Sequence, residues 1–101
     1  MITLGKELQE TIRNLEKLRD SQNPPSDTIL KQLDTLYGQQ IDLIDAAINN
    51  KTKEYKDATT ALQEAARKTK KAIDDLAKLE KAIEKVADAI GKVTELLAAI
   101  A

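Results

Sequence analysis

Stepping by alternate fours and threes from Leu30 to Ile100 meets an almost unbroken run of apolar residues. They are Leu30, Tyr37, Ile41, Ile44, Ile48, Tyr55, Ala58, Leu62, Ala65, Ala72, Leu76, Leu79, Ile83, Val86, Ile90, Val93, Leu97 and Ile100, with Asp34, Lys51 and Thr69 as polar intruders. An apolar pair every seven residues is the pattern of a helix burying a narrow seam against other helices. Ahead of it, Leu4, Leu8, Ile12 (or Thr11), Leu15 and Leu18 form one stripe of a first helix over residues 3–20. Thr3 can cap that helix, and Glu7 and Glu10 suit its positive end, while Gly5 weakens the first turn.

Residues 21–27, Ser-Gln-Asn-Pro-Pro-Ser-Asp, break the pattern, because each proline forces its predecessor out of the α region. Ser26 or Asp27 restarts the chain as an N-cap. So short a connection lays residues 3–20 back along 28–48, with Leu18 near Leu30 and Leu4 near Ile44 or Ile48. Beyond Asp27 two readings compete. One helix could run to the end, about 110 Å at 1.5 Å per residue. Alternatively the chain turns near Asn49–Thr52, where Asn tolerates the left-handed conformation and Lys51 interrupts the seam. We adopt the turn, which leaves a long helix over 53–100. The expected fold is all-α: an antiparallel helical hairpin or three-helix bundle with a long, heptad-patterned, coiled-coil-like C-terminal helix, and oligomeric.

Two stretches of that long helix have distinct textures. Ala58, Ala65 and Ala72 repeat every seven residues. Small residues there let two axes come close, in a symmetric dimer or within one chain; the bland alternative is high helix propensity alone. Toward the C-terminus the stripe of Leu76, Leu79, Ile83, Val86, Ile90, Val93 and Leu97 is widened by Ala82, Ala89 and Leu96. The first helix is too short to cover both 28–48 and this stripe. Glu64/Lys68, Asp74/Lys78 and Asp88/Lys92 stand as acid-before-base pairs on a solvated face.

Composition agrees with long helices, since a third of the 101 residues are charged and Tyr37 and Tyr55 are the only aromatics. The net charge of -1 argues against strong attraction to nucleic acid or anionic membrane. Charge is nonetheless uneven: residues 1–50 hold five Lys/Arg against eight Asp/Glu, and residues 51–101 hold eleven against nine. This polarity favours head-to-tail or antiparallel association, weakly and in a salt-dependent way. The N-terminus lacks a basic region followed by an apolar run, and no window reaches the ~18 apolar residues of a membrane span. A cytoplasmic location is expected, with export lacking a cleaved signal as the alternative.

The chain has no His and no Cys, which removes the commonest general base, the commonest metal ligand and the thiol nucleophile together. Asp74-Asp75 and Glu80/Glu84 could offer oxygen to a hard cation, but neighbouring acids on a helix diverge and each has a Lys nearby. Neither a phosphate-binding loop nor a calcium-loop spacing occurs. No catalytic residue, cofactor or metal is therefore assigned. Asp34, Asp42 and Asp45 with Tyr37 and Tyr55 could form an acidic surface for a basic partner, although both tyrosines fall on the seam. Arg67, Lys68, Lys70 and Lys71 could touch phosphate or lipid, but without interleaved aromatics they read as a solvated face.

The expectation is a non-catalytic helical interaction protein: a small adaptor, a chaperone-like protein or an inhibitor of the immunity type. It would bury its apolar stripe by forming a homodimer or embracing another protein. The candidate interface is Ala58, Leu62, Ala65, Ala72, Leu76, Leu79, Ile83, Val86, Ile90, Val93 and Leu97. The alternative is association with a membrane surface through the amphipathic segment 86–100.

Overall fold

Thr3 opens the first helix in an extended conformation, its hydroxyl accepting the Lys6 amide at 3.3 Å. The computed structural model describes residues 3–22, 26–45, 49 and 51–100. Within them lie α1 (Leu4–Asp20), α2 (Asp27–Asp45), α3 (Lys53–Asp74) and α4 (Leu79–Ile100), with one 3₁₀ turn at Leu76–Lys78. The described residues form a four-helix bundle and contain no strand. The prolines 24 and 25, Ile48 and Asn50, on which parts of the expected turns rest, lie outside the described residues.

The long helix expected over 53–100 is instead two helices, which makes the bundle four-membered rather than three-membered. Asp75 causes the break. Its backbone is extended (φ -147°, ψ 99°), and its carboxylate accepts the Ala77 amide at 3.1 Å. A side chain that bonds the backbone two residues on offers the chain a turn in place of another helical residue. Two successive acids, Asp74 and Asp75, also oppose the negative end of α3. Only 39 Å separates the ends of the molecule along its longest axis, whereas an unbroken helix from Asp27 would span about 110 Å. At the other end of the bundle Thr52 caps α3 by accepting the Tyr55 amide, after Asn49 has turned the chain by accepting the Lys51 amide.

The four helices form two antiparallel hairpins, α1–α2 and α3–α4, placed so that corresponding helices are adjacent and parallel. The register is nearly constant. Leu4 N–H donates to the Tyr55 hydroxyl and Thr11 Oγ1 to the Leu62 carbonyl, both 51 residues apart. Gln32 Nε2 donates to the Ile83 carbonyl and Gln39 Nε2 to the Ile90 carbonyl, again 51 apart. Asn14 and Gln39 make one further bond each, to Thr69 and Thr94, 55 residues on. Each of these two threonines donates in turn to the carbonyl four residues before it. Every hydrogen bond between the hairpins, among the described residues, is donated from the first to the second.

Large and small side chains are divided between the hairpins. Leu4, Leu8, Ile12, Leu15 and Leu18 on α1, with Ile29, Leu33 and Leu36 on α2, supply bulk. Ala58, Ala65 and Ala72 on α3 and Ala82 and Ala89 on α4 are fully buried, and α3 and α4 pack the most closely of any pair. The alanine heptads are therefore a close-approach surface within the chain. On α4 the innermost stripe is Ala82, Val86, Ala89, Val93 and Leu96, while Leu79, Ile83, Ile90, Leu97 and Ile100 are half-buried beside it.

Two buried amides are imperfectly satisfied: the side-chain oxygens of Gln32 and Gln39 have no hydrogen-bond partner. A buried carbonyl without a donor costs about 1–3 kcal/mol, whereas the Ile83 carbonyl that Gln32 contacts already lies within a helix. Gln32→Met keeps the volume and removes the orphan oxygen, so it should raise unfolding free energy by about 1 kcal/mol in urea titration. Ala65→Leu should lower it by about 1–3 kcal/mol or more, because the α3 contacts have no room for three added carbons.

Candidate partner-binding face

α2 carries two competing apolar stripes, and the structure buries the one the heptad reading did not select. Ile29, Leu33 and Leu36 face inward with Gln32 and Gln39, and Leu43 packs at the core margin. Leu30, Asp34, Ile41 and Ile44 face outward, the three aliphatics 38%, 63% and 77% exposed. The choice follows from Asp34. Burying an unpaired carboxylate costs far more than burying a neutral amide, which can still donate to a neighbouring carbonyl. Asp34 is accordingly in water rather than in the seam.

The proposed interface residues are distributed differently from the expectation. Ala58, Leu62, Ala65, Ala72, Val86 and Val93 are sealed in the subunit's own core. Leu79, Ile83, Ile90 and Leu97 are half-buried against that core, and Leu76, 54% exposed, sits alone on the 3₁₀ turn. The C-terminal stripe needs no second molecule, because breaking at Asp75 folds α4 back on α3 and supplies the missing cover. For the same reason Val86, Ala89, Val93 and Leu96 are turned into the bundle rather than toward a lipid surface. No helix of the described residues is long and apolar enough to cross a membrane.

At the end of the bundle where α1 begins and α2 ends, the outward stripe runs into a groove. Leu4, Gly5 and Leu8 of α1, Gln40, Leu43 and Ile44 of α2, and Tyr55 of α3 line about 400 Å³ of it, open to solvent. Tyr55 holds this end together by accepting the Leu4 amide, one of the donors left over at a helix start. Farther along the α1–α2 contact, the Tyr37 hydroxyl donates to Glu16 Oε2 at 2.5 Å. This bond, and secondarily burial, holds the Tyr37 phenol above its ordinary range, against an opposing pull from Arg19. Both tyrosines thus brace helix contacts and do not stand free on the surface.

Charge on α2 is one-sided. Asp27, Asp34 and Asp42 are exposed, Lys31 is the one base on the helix, and none of these acids makes an ion pair among the described residues. The side chain of Asp45 lies outside the description. On α3 and α4 the charges are neutralised locally, though not in the expected pairs. Glu64 binds Arg67 (2.6 Å) rather than Lys68, and Lys92 binds Glu95 (3.5 Å) rather than Asp88. The Glu64 carboxyl is held below the usual range chiefly by its bond to Arg67. The Lys68 ammonium is lowered first by the charge of Arg67, then by burial and by Lys71. No three His, Cys, Asp or Glu side chains of the described residues gather to hold a cation, and the Asp75 carboxylate is engaged in its turn.

The chain matches no protein-family model, no curated protein and no solved structure. The heptad template missed the outward face because it counted Leu30, Ile41 and Ile44 as seam. The signal that identifies it is the charge: of the two stripes on α2, only one contains a carboxylate.

The Tyr37–Glu16 bond is accessible to titration. A phenol raised in the folded state stabilises the fold fully below its unfolded value of about 10, and that contribution is lost as pH rises through the folded value. Absorbance titration should show Tyr37 ionising above about 10, identified by loss of that transition in Tyr37→Phe. Glu16→Gln should move it back down.

Proposed function

We propose that this chain is a non-catalytic protein-interaction module that meets its partner through the outer face of α2 and the adjoining groove. The observation that carries the reading is the pairing of a core closed by the chain itself with three aliphatic side chains left outside on one stripe. Single exposed aliphatics are ordinary on soluble proteins. Leu30, Ile41 and Ile44 differ in sharing a face of one helix, and Ile44 continues into a groove lined by Leu4, Leu8 and Leu43. Contiguous apolar surface rimmed by charge is the usual form of a protein-docking site. The absence of His and Cys from the sequence leaves few groups suited to acid–base or nucleophilic work, so binding is the better-supported role.

The interface differs from the expected one in position and not in kind. A module of this sort acts as an adaptor or inhibitor by occupying a partner's surface, with the bundle as a rigid carrier for α2. A photo-crosslinking residue at position 44 should give one discrete adduct in cells expressing the chain, and the same residue at exposed position 87 on α4 should give none. Ile41→Asp should abolish the adduct while leaving the circular dichroism and unfolding midpoint unchanged. Equal adducts from both positions, or none from position 44, would remove the reading.

A further inference from the structure

We infer that the partner of this face is a basic amphipathic helix. The inference rests on the interaction-module reading and adds the chemistry of the occupant. Three features of α2 converge on it. Leu30, Ile41 and Ile44 are spaced as a helix-in-groove contact requires, in a row along one side of a helix. Asp34 and Asp42 border that row in water without a cation beside them. Asp42 also stands in the last turn of α2, which holds no base. A negative charge there opposes the helix dipole, so it is placed against the stability of the free subunit. Gly38 adds room, since a Cβ at that position would meet nothing within 4 Å, and an incoming helix can approach the bare backbone closely.

A second copy of the chain is a poor occupant for this face. Antiparallel pairing of two α2 helices about Gly38 would set Asp34 of each against Asp42 of the other, two like-charge contacts at the centre. An anionic lipid surface is opposed by the same carboxylates. A helix with Leu on one side and Lys or Arg along its borders satisfies both the row and the acids.

The test uses the full chain and two 18-residue synthetic helices with identical leucine faces, one bordered by Lys and the other by Glu. Titration calorimetry should show binding of the Lys peptide alone, weakening as salt is raised from 50 to 300 mM. The double substitution Asp34→Lys/Asp42→Lys should weaken the Lys peptide by about tenfold or more and admit the Glu peptide. The same double variant should unfold at a slightly higher temperature than the parent, since Lys at position 42 suits the helix end. A merely structural role for these acids predicts the opposite.

Equal binding of the two peptides, or of neither, would overturn the inference. So would an α2-mediated dimer in sedimentation that blocks the Lys peptide, or co-sedimentation with vesicles of anionic phospholipid that Ile44→Asp abolishes. Loss of charge preference with persistence of the position-44 adduct would leave the interaction module standing and remove only the basic helix. Loss of the adduct as well would remove both.

Discussion

The bundle depends on how closely α3 can approach its neighbours. α3 touches both α1 and α4, and its inward positions Ala58, Ala65 and Ala72 contribute only a methyl group each. With so little side-chain volume there, the bulk of the core must come from across the contact, and the leucines of α1 provide it. Close approach has a second consequence. It brings the α3 backbone within reach of short polar side chains, so Thr11 and Asn14 can donate directly to the Leu62 and Ala66 carbonyls. Had larger residues stood on α3, these donors would have been buried without acceptors.

Those donors give the aliphatic core a defined register. Aliphatic side chains alone would accept several relative offsets of two parallel helices at similar energy. A slip of α1 along α3 would separate Asn14 from both Ala66 and Thr69, leaving a buried amide unpaired at about 1–3 kcal/mol. Gln39 repeats the arrangement between α2 and α4, with Ile90 and Thr94 as acceptors. The common separation of 51 residues at both contacts means that the two hairpins are matched along their whole length. The second contact is the less complete, because Gln32 and Gln39 retain unpartnered oxygens and α2 packs less closely than α3.

Helical class, the first helix with its Thr3 cap, and the apolar stripe on α1 were legible in residue spacing. So was the meaning available to the alanine heptads, although spacing did not say whether the close neighbour belonged to the same chain. Two features were not legible by that means. The turn at Asp75 contains neither glycine nor proline, and heptad phase continues across it because the interruption is short. Its signal was a pair of acids at a helix end, readable as capping chemistry once periodicity is set aside. The facing of α2 was also ambiguous, since both of its stripes are apolar. There the deciding term was electrostatic: neutral Gln32 and Gln39 can be buried at modest cost, and Asp34 cannot.

The same term links the weakest contact of the fold to its most distinctive surface. α2 buries two glutamines where fully apolar residues would hold it more firmly, leaves three aliphatics in water, and keeps Asp42 at the helix end least suited to an acid. Each of these choices lowers the stability of the isolated subunit. Interior demands explain only the glutamines, through the register they help to set. The outward aliphatics and acids do nothing for the bundle, and a helix laid across them would shield the first and neutralise the second. Stability given up on one face of one helix, while α1, α3 and α4 remain well packed, is the distribution expected where a surface is shaped by what it binds.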